Sequence, residues 1–224
     1  MHRQIVRFST WVNHRPIDSH DQVPKIAFDY LPRILTSQVY EAAIETPLNY
    51  ATTMSSAIKN EVYLKREDMQ PVFSFKIRGA YNRIAKLPAE VRNNGVVTCS
   101  AGNHAQGVAL SASKLKINAT IVMPRATPSI KVNAVRHFGG PTVTVKLHGQ
   151  NYDEASDEAK RLVIEKGYQL IHPFDDPDVI AGQGTIGMEI LKVLQKKYSI
   201  YSHYLFSLLS IQPYFIPVYD IVYR

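Results

Sequence analysis

The stretch GVVTCSAGNHAQGVALSASKLKINATIVM, residues 95–123, decides the architecture. Val96–Cys99 is a short β-branched run bounded by Gly95 and a turn of small residues, so it reads as a strand. A helix follows from about Asn103, and Thr120–Met123 is a second β-branched run halted by Pro124. A strand, a helix and a strand in that order form a parallel crossover unit. The same alternation continues downstream. Thr127 and Pro128 supply an N-cap with proline at the first helical position, and Gly139-Gly140 stops that helix. Thr142–Leu147 is a strand, Asp153–Lys166 a helix closed by Gly167, Tyr168–Ile171 a strand, and Asp178–Lys197 a helix. Upstream, Glu61–Arg66 reads as a strand with Val62 and Leu64 inward. Ser74 then caps a helix whose Ile77, Ala80, Tyr81 and Ile84 recur at i, i+3, i+4 and i+7. The expected class is α/β, an open parallel sheet with helices on both faces.

Composition narrows the function. Of 224 residues, 45% are hydrophobic and 20% charged, which excludes wholesale disorder. A single cysteine, Cys99, excludes a disulfide scaffold and a cysteine-based zinc site. The net charge of +7 raises nucleic-acid binding, but its distribution argues against it. The excess is scattered, with no Lys/Arg run and no aromatic-interleaved basic strip, so a mildly basic surface is expected. Residues 1–21 carry Arg3, Arg7 and Arg15 with no acid before Asp18, and read as a disordered or transit-like leader. Plastid or mitochondrial placement follows if that leader targets an organelle, and cytoplasmic placement otherwise. From Tyr198 to Tyr219 there are 22 residues without Asp, Glu, Lys or Arg, a length that permits a membrane span. Pro213, Pro217, His203, Gln212 and the many hydroxyls argue against one, so no membrane is expected.

Two constellations can carry chemistry. In KREDMQPVFSFKIRGAY, residues 65–81, Lys76 lies in a helix's first turn between Phe73, Phe75 and Ile77. Desolvation there would favour a neutral amine, the form that attacks an aldehyde. Spacing alone favours the plainer reading of a surface lysine on an amphipathic helix. In CSAGNHAQG, residues 99–107, a strand's C-terminal end opens a helix, where open α/β sheets bind ligands. The turn's N–H groups suit a carboxylate or phosphate, Gly102 permits close approach, and Asn103 offers a donor and an acceptor. A tight turn with an Asn cap explains the same residues equally well. His104 at a helix start reads as structural. His137, His148 and His172 lack metal-ligand spacing, so no metal site is expected. Gly182-Gln183-Gly184-Thr185 lacks the Walker lysine and reads as close helix packing.

Together these segments resemble the threonine dehydratases (threonine ammonia-lyases) of the fold type II pyridoxal-phosphate enzymes. The resemblance runs from about Leu31 to Gln195. It rests on TPL at 46–48, YLKREDMQPVFSFKIRGAYN at 63–82, SAGNHAQGVALSA at 100–112, MPRATPSIKVNAVRHFGG at 123–140, YDEA at 152–155 and HPFDDPDVIAGQGTIGMEIL at 172–191. It implies pyridoxal phosphate as cofactor and Lys76 as the lysine that holds it covalently and later acts as general base. Asn103 is implied as the partner of the cofactor's 3-hydroxyl and Phe75 as a ring packed near it. Ser100, Ala101, Gly102, Asn103 and His104 are implied as the cradle of the substrate carboxylate.

The implied reaction converts threonine to 2-oxobutanoate and ammonia, towards isoleucine, and serine to pyruvate. Serine racemase is the alternative within the family. Full-length members are expected to be homo-oligomers. Three zones follow: the leader at 1–21, a partial catalytic domain at 22–197, and a divergent Tyr-rich tail at 198–224. Members continue past GQGTIGMEIL into a glycine-rich loop around the cofactor phosphate, and that loop is not found in these 224 residues. The fold is therefore expected to be incomplete at the C-terminus, and the chain alone to turn threonine over at no measurable rate. A catalytically inactive fragment that pairs with a full-length subunit is the competing reading.

Overall fold

A computed structural model describes residues 25–198, so the expectations for the leader and for the tail beyond Tyr198 lie outside the described residues. In chain order the elements are α1 (Lys25–Leu35), β1 (Leu48–Tyr50), α2 (Thr52–Ile58), β2 (Tyr63–Lys65), α3 (Lys76–Ala85), α4 (Ala89–Asn94) and β3 (Val96–Cys99). They continue with α5 (Asn103–Leu115), β4 (Ala119–Met123), α6 (Ser129–Gly139), β5 (Val143–Leu147), α7 (Tyr152–Lys166), β6 (Gln169–Leu170) and α8 (Pro177–Tyr198).

Four strands form a parallel sheet in the order β5-β4-β3-β6. Period-2 alternation sorts their side chains onto two cores. Val96, Ala119, Ile121 and Met123 face α3, α5 and α6, whereas Val97, Cys99 and Val122 face Ala155, Ala159 and Leu162 of α7. Helices thus cover both faces, as the βα alternation required.

The first predicted strand behaves differently. Its core, β2, pairs antiparallel with β1 in a separate two-stranded sheet. Its facing is also reversed: Leu64 is 40% exposed, while the Lys65 side chain is only 7% exposed. Apolar alternation fails here because Lys65 turns inward to donate to Thr46 and Glu189, which places Leu64 on the opposite face. Ser74 does not cap α3. Phe75 holds the N-cap position without a side-chain cap bond of its own, and among the described residues Ser74 Oγ accepts only the Lys76 N–H. Helix α6 likewise begins one residue late, with Pro128 at the N-cap position.

Glycines set how closely the helices cross. A Cβ on Gly182 would lie 2.7 Å from the Arg78 carbonyl oxygen and from Gly79 Cα, so α8 passes directly against the α3 backbone. A Cβ on Gly184 would meet Ile34 of α1 at 2.5 Å. The Gly182–Thr185 run is therefore helix packing and not a phosphate loop.

Candidate active site

Lys76 opens α3 and is half-buried. Its Nζ donates to the Pro173 carbonyl at 2.7 Å and stands 5.2 Å from the centroid of the Phe75 ring. Of its three expected apolar neighbours, Phe75 alone adjoins the amine in this way. Ile77 is fully buried in the core, and Phe73 is 69% exposed in a left-handed backbone conformation, φ 59°. Ser74 contributes one weak bond, its Oγ accepting the Lys76 N–H at 3.3 Å.

The second constellation begins where β3 ends. The Ser100 N–H donates to the Val122 carbonyl at 3.2 Å, and Ser100 Oγ accepts the Gly102 N–H at 3.3 Å. Ala101, Gly102 and Asn103 are half-buried, with Gly102 at the N-cap position of α5 and Asn103 as its first residue. Gly102 has no side chain to close the helix end, and a Cβ there would meet nothing within 4 Å. An uncapped helix start leaves N–H groups for an anion.

His104 is buried, with Nε2 3.0 Å from the Ile171 carbonyl oxygen. A carbonyl only accepts, so Nε2 carries the hydrogen and Nδ1 keeps its lone pair. Nδ1 is buried without a partner. Burial pushes the imidazole pKa down to about 4 despite the Ile171 bond, and the charges of Lys76 and His172 push the same way. The ring is neutral near pH 7. Cys99, also buried, has its thiol pushed up to about 11 by burial and is no nucleophile.

One short segment after β6 joins the two constellations. Ile171 O accepts from Thr98 Oγ1 at 2.9 Å as well as facing His104, and two residues on Pro173 O accepts from Lys76. Helix α5 adds a steric limit, since a Cβ on Gly107 would sit 3.1 Å from the Lys76 carbonyl carbon. Sequence reading missed Ile171 and Pro173 because they act through backbone carbonyls, which any residue carries.

It also missed a buried polar assembly around Arg78. Arg78 has no exposed side-chain area, and its guanidinium forks onto both Glu67 and Glu189. Nε and Nη2 reach the Glu67 carboxylate at 2.8 Å each, while Nη1 and Nη2 reach the two Glu189 oxygens. Further bonds go to Thr185 Oγ1 at 3.0 Å and the Ile44 carbonyl at 3.1 Å. Lys65 Nζ donates to the Thr46 carbonyl, to Thr46 Oγ1 at 2.6 Å and to Glu189. Burial alone would push the Glu189 carboxyl up, but bonds from Arg78, Lys65 and Tyr40 hold it below its ordinary value. Burial and that carboxylate push the Tyr40 phenol up to about 12.

The amine at Lys76, the ring of Phe75 and the open helix start at Gly102 fit the aldehyde, ring and anionic groups of pyridoxal phosphate and an amino acid. Comparison with known proteins identifies the family. Residues 39–202 match the pyridoxal-phosphate-dependent enzyme family. The chain is 57% identical over 166 residues to the chloroplastic biosynthetic threonine dehydratase of Arabidopsis thaliana, covering 74% of this chain and 28% of that protein. It is 57% identical over 163 residues to the mitochondrial threonine dehydratase of Schizosaccharomyces pombe, covering 73% and 27%. The processed form of threonine deaminase isoform 2 from Solanum lycopersicum superposes with a TM-score of 0.72 at 52% identity, over 75% of this chain and 46% of that one. The chain thus spans under a third of the length of these curated relatives. With its two-faced parallel sheet, the lysine at the head of α3 and a match over most of its length, the chain belongs to the pyridoxal-phosphate-dependent enzyme family.

Proposed function

We propose that this chain is the cofactor-anchoring part of a threonine ammonia-lyase, converting threonine to 2-oxobutanoate and ammonia and accepting serine as a second substrate. The observation that carries the reading is the Lys76 amine, held on the Pro173 carbonyl beside the Phe75 ring at the ligand edge of the sheet. When bound, pyridoxal phosphate supplies an electron sink for the negative charge left at the substrate's α-carbon. Lys76 would supply the amine for its aldehyde and the base for the substrate's α-proton. Phe75 would pack by the cofactor and Asn103 would bond its 3-hydroxyl. The Ser100–His104 turn receives the substrate carboxylate through N–H groups at the start of α5. Neutral His104 adds no positive charge to that turn.

The relatives above at 52–57% identity are named for threonine, which favours deamination over the racemase alternative. Residues 22–197 form the catalytic portion in this reading, with 1–21 as a leader and 198–224 as a divergent segment. Two eukaryotic relatives are named chloroplastic and mitochondrial, which supports an organellar leader here. Among the described residues no helix is long and apolar enough to cross a membrane. Full-length assemblies are proposed to be homo-oligomers.

The test uses the amino acid as competitor. The chain is incubated with pyridoxal phosphate and reduced with borohydride, with or without L-threonine or L-serine. Both amino acids are expected to lower the label fixed on protein; a label insensitive to both overturns the amino-acid reading. Asn103→Ala is expected to weaken cofactor binding by about 1.5–3 kcal/mol, the worth of a hydrogen bond to a charged group. His104→Ala is expected to weaken it less. Steady 2-oxobutanoate formation by residues 1–224 alone is not expected, and observing it would exclude the inactive-fragment reading.

A further inference from the structure

We propose that Arg78 is a positioning residue for Lys76, and that the buried set Lys65, Glu67, Arg78 and Glu189 fixes where the Lys76 amine stands. The inference rests on the reading of Lys76 as the cofactor lysine. Helix α3 carries Lys76 as its first residue, and at that turn the Lys76 N–H donates weakly to Ser74 Oγ at 3.3 Å. One such bond leaves the rotation of α3 to contacts further along the helix. Arg78 lies two residues on, about 200° around a helix of 3.6 residues per turn, so it grips the face away from Lys76.

Its two forks draw on separate parts of the chain. Glu67 follows β2, Glu189 belongs to α8, and the Ile44 carbonyl comes from the segment before β1. Two cations and two carboxylates make the set neutral, with side chains between 0% and 7% exposed. Such a set gives little net stability over apolar packing, but its directional bonds admit one arrangement. A planar guanidinium can bridge both carboxylates at fixed angles, whereas a lysine ammonium cannot. The Gly79–Gly182 crossing sets how closely α3 and α8 approach, and the Arg78 forks set how α3 is turned.

The test reads Lys76 without depending on turnover. Arg78→Lys keeps the charge balance and loses the fork. A second variant, Lys65→Met/Glu67→Gln/Arg78→Met/Glu189→Gln, removes all four charges. Each full-length chain is trace-labelled with acetic anhydride across pH without cofactor, and Lys76 labelling relative to the other lysines is read by peptide mass spectrometry. Pyridoxal phosphate capture with borohydride is mapped in parallel, and circular dichroism melting reports folding. Folded variants are expected to show Lys76 labelling altered about tenfold at a given pH, the size of a one-unit change in an amine's titration. Cofactor capture is expected to spread from Lys76 to other lysines. Labelling is read far enough below each variant's melting transition that the folded fraction is complete, where a lower stability alone leaves the Lys76 profile in place.

A folded variant with the wild-type profile and capture at Lys76 overturns the inference while leaving Lys76 as the cofactor lysine. Wild-type capture on another lysine overturns that assignment, and the cofactor-free labelling still decides the positioning claim. If neither variant folds, the set serves folding and the positioning claim is overturned.

Discussion

The Arg78 crossing and the Ser100–His104 turn are built in opposite ways. At the crossing every donor of the Arg78 guanidinium has an acceptor, although the neighbouring Gln183 amide is buried without one, and two glycines bring α3 and α8 into backbone contact. At the turn the helix end lacks a side-chain cap, Gly102 faces open space, and the buried His104 Nδ1 has no partner. Closed polarity fixes geometry, and open polarity leaves groups for a ligand. The contrast predicts that changes at the crossing cost stability, whereas changes at the turn chiefly cost binding.

The largest effect is expected from Arg78→Met. Glu67 and Glu189 would be left buried with only Lys65 between two carboxylates, costing about 3–5 kcal/mol. One carboxyl's folded pKa would then rise above its unfolded value, so part of the stability should return as pH falls through that raised value. Urea melts of the variant and the wild type at pH 7 and pH 5 check this, and a deficit relative to wild type that is the same at both would break the account of the crossing.

His104 gives the next effect. Its folded pKa of about 4 lies below the free value of 6.5, so the unfolded chain takes up the proton first. The stability contributed by the neutral ring is complete above about pH 6.5 and is lost as pH falls towards 4, by about 3 kcal/mol over that window. His104→Gln, which keeps a donor for the Ile171 carbonyl, should flatten the urea-melt profile across that window. An unchanged slope would mean the imidazole is not buried neutral.

The smallest effects separate the two glycines. Gly182→Ala forces a methyl 2.7 Å from the Arg78 carbonyl and should cost about 1–3 kcal/mol. Gly102→Ala meets nothing within 4 Å, at φ −138°, and should leave the melting temperature in place. Equal costs at both positions would erase the distinction between a closed crossing and an open turn.

The parallel sheet and both cores were legible because they follow local rules. Val96–Cys99 is a strand with the bounds that its β-branched run and Gly95 define, and Ile77, Ala80, Tyr81 and Ile84 of α3 are all buried. The rule failed on the other side of α3. Arg78 and Asn82 occupy positions that amphipathic patterning assigns to solvent, yet both are fully buried. Their partners lie far away in sequence, Glu189 being 111 residues from Arg78 and the Asp178 carbonyl 96 residues from Asn82, so no window contains the pair. The inverted facing of β2 has the same origin, because Lys65 turns inward to reach Glu189 across 124 residues. Within the candidate site, the 100–104 turn was readable as small residues opening a helix at a sheet edge, whereas Lys76 stood out only through the family resemblance, its spacing favouring a surface lysine. The Ile171 and Pro173 carbonyls between them were not readable.

The central claim is that Lys76 is the amine that takes the cofactor aldehyde. Its most direct test is mass-spectrometric mapping of the full chain after pyridoxal phosphate and borohydride, with Lys76→Ala alongside. The account predicts a single pyridoxyl-phosphate adduct on the peptide carrying Lys76, lost in Lys76→Ala while the variant still folds. An adduct that persists on another lysine in that variant would contradict it.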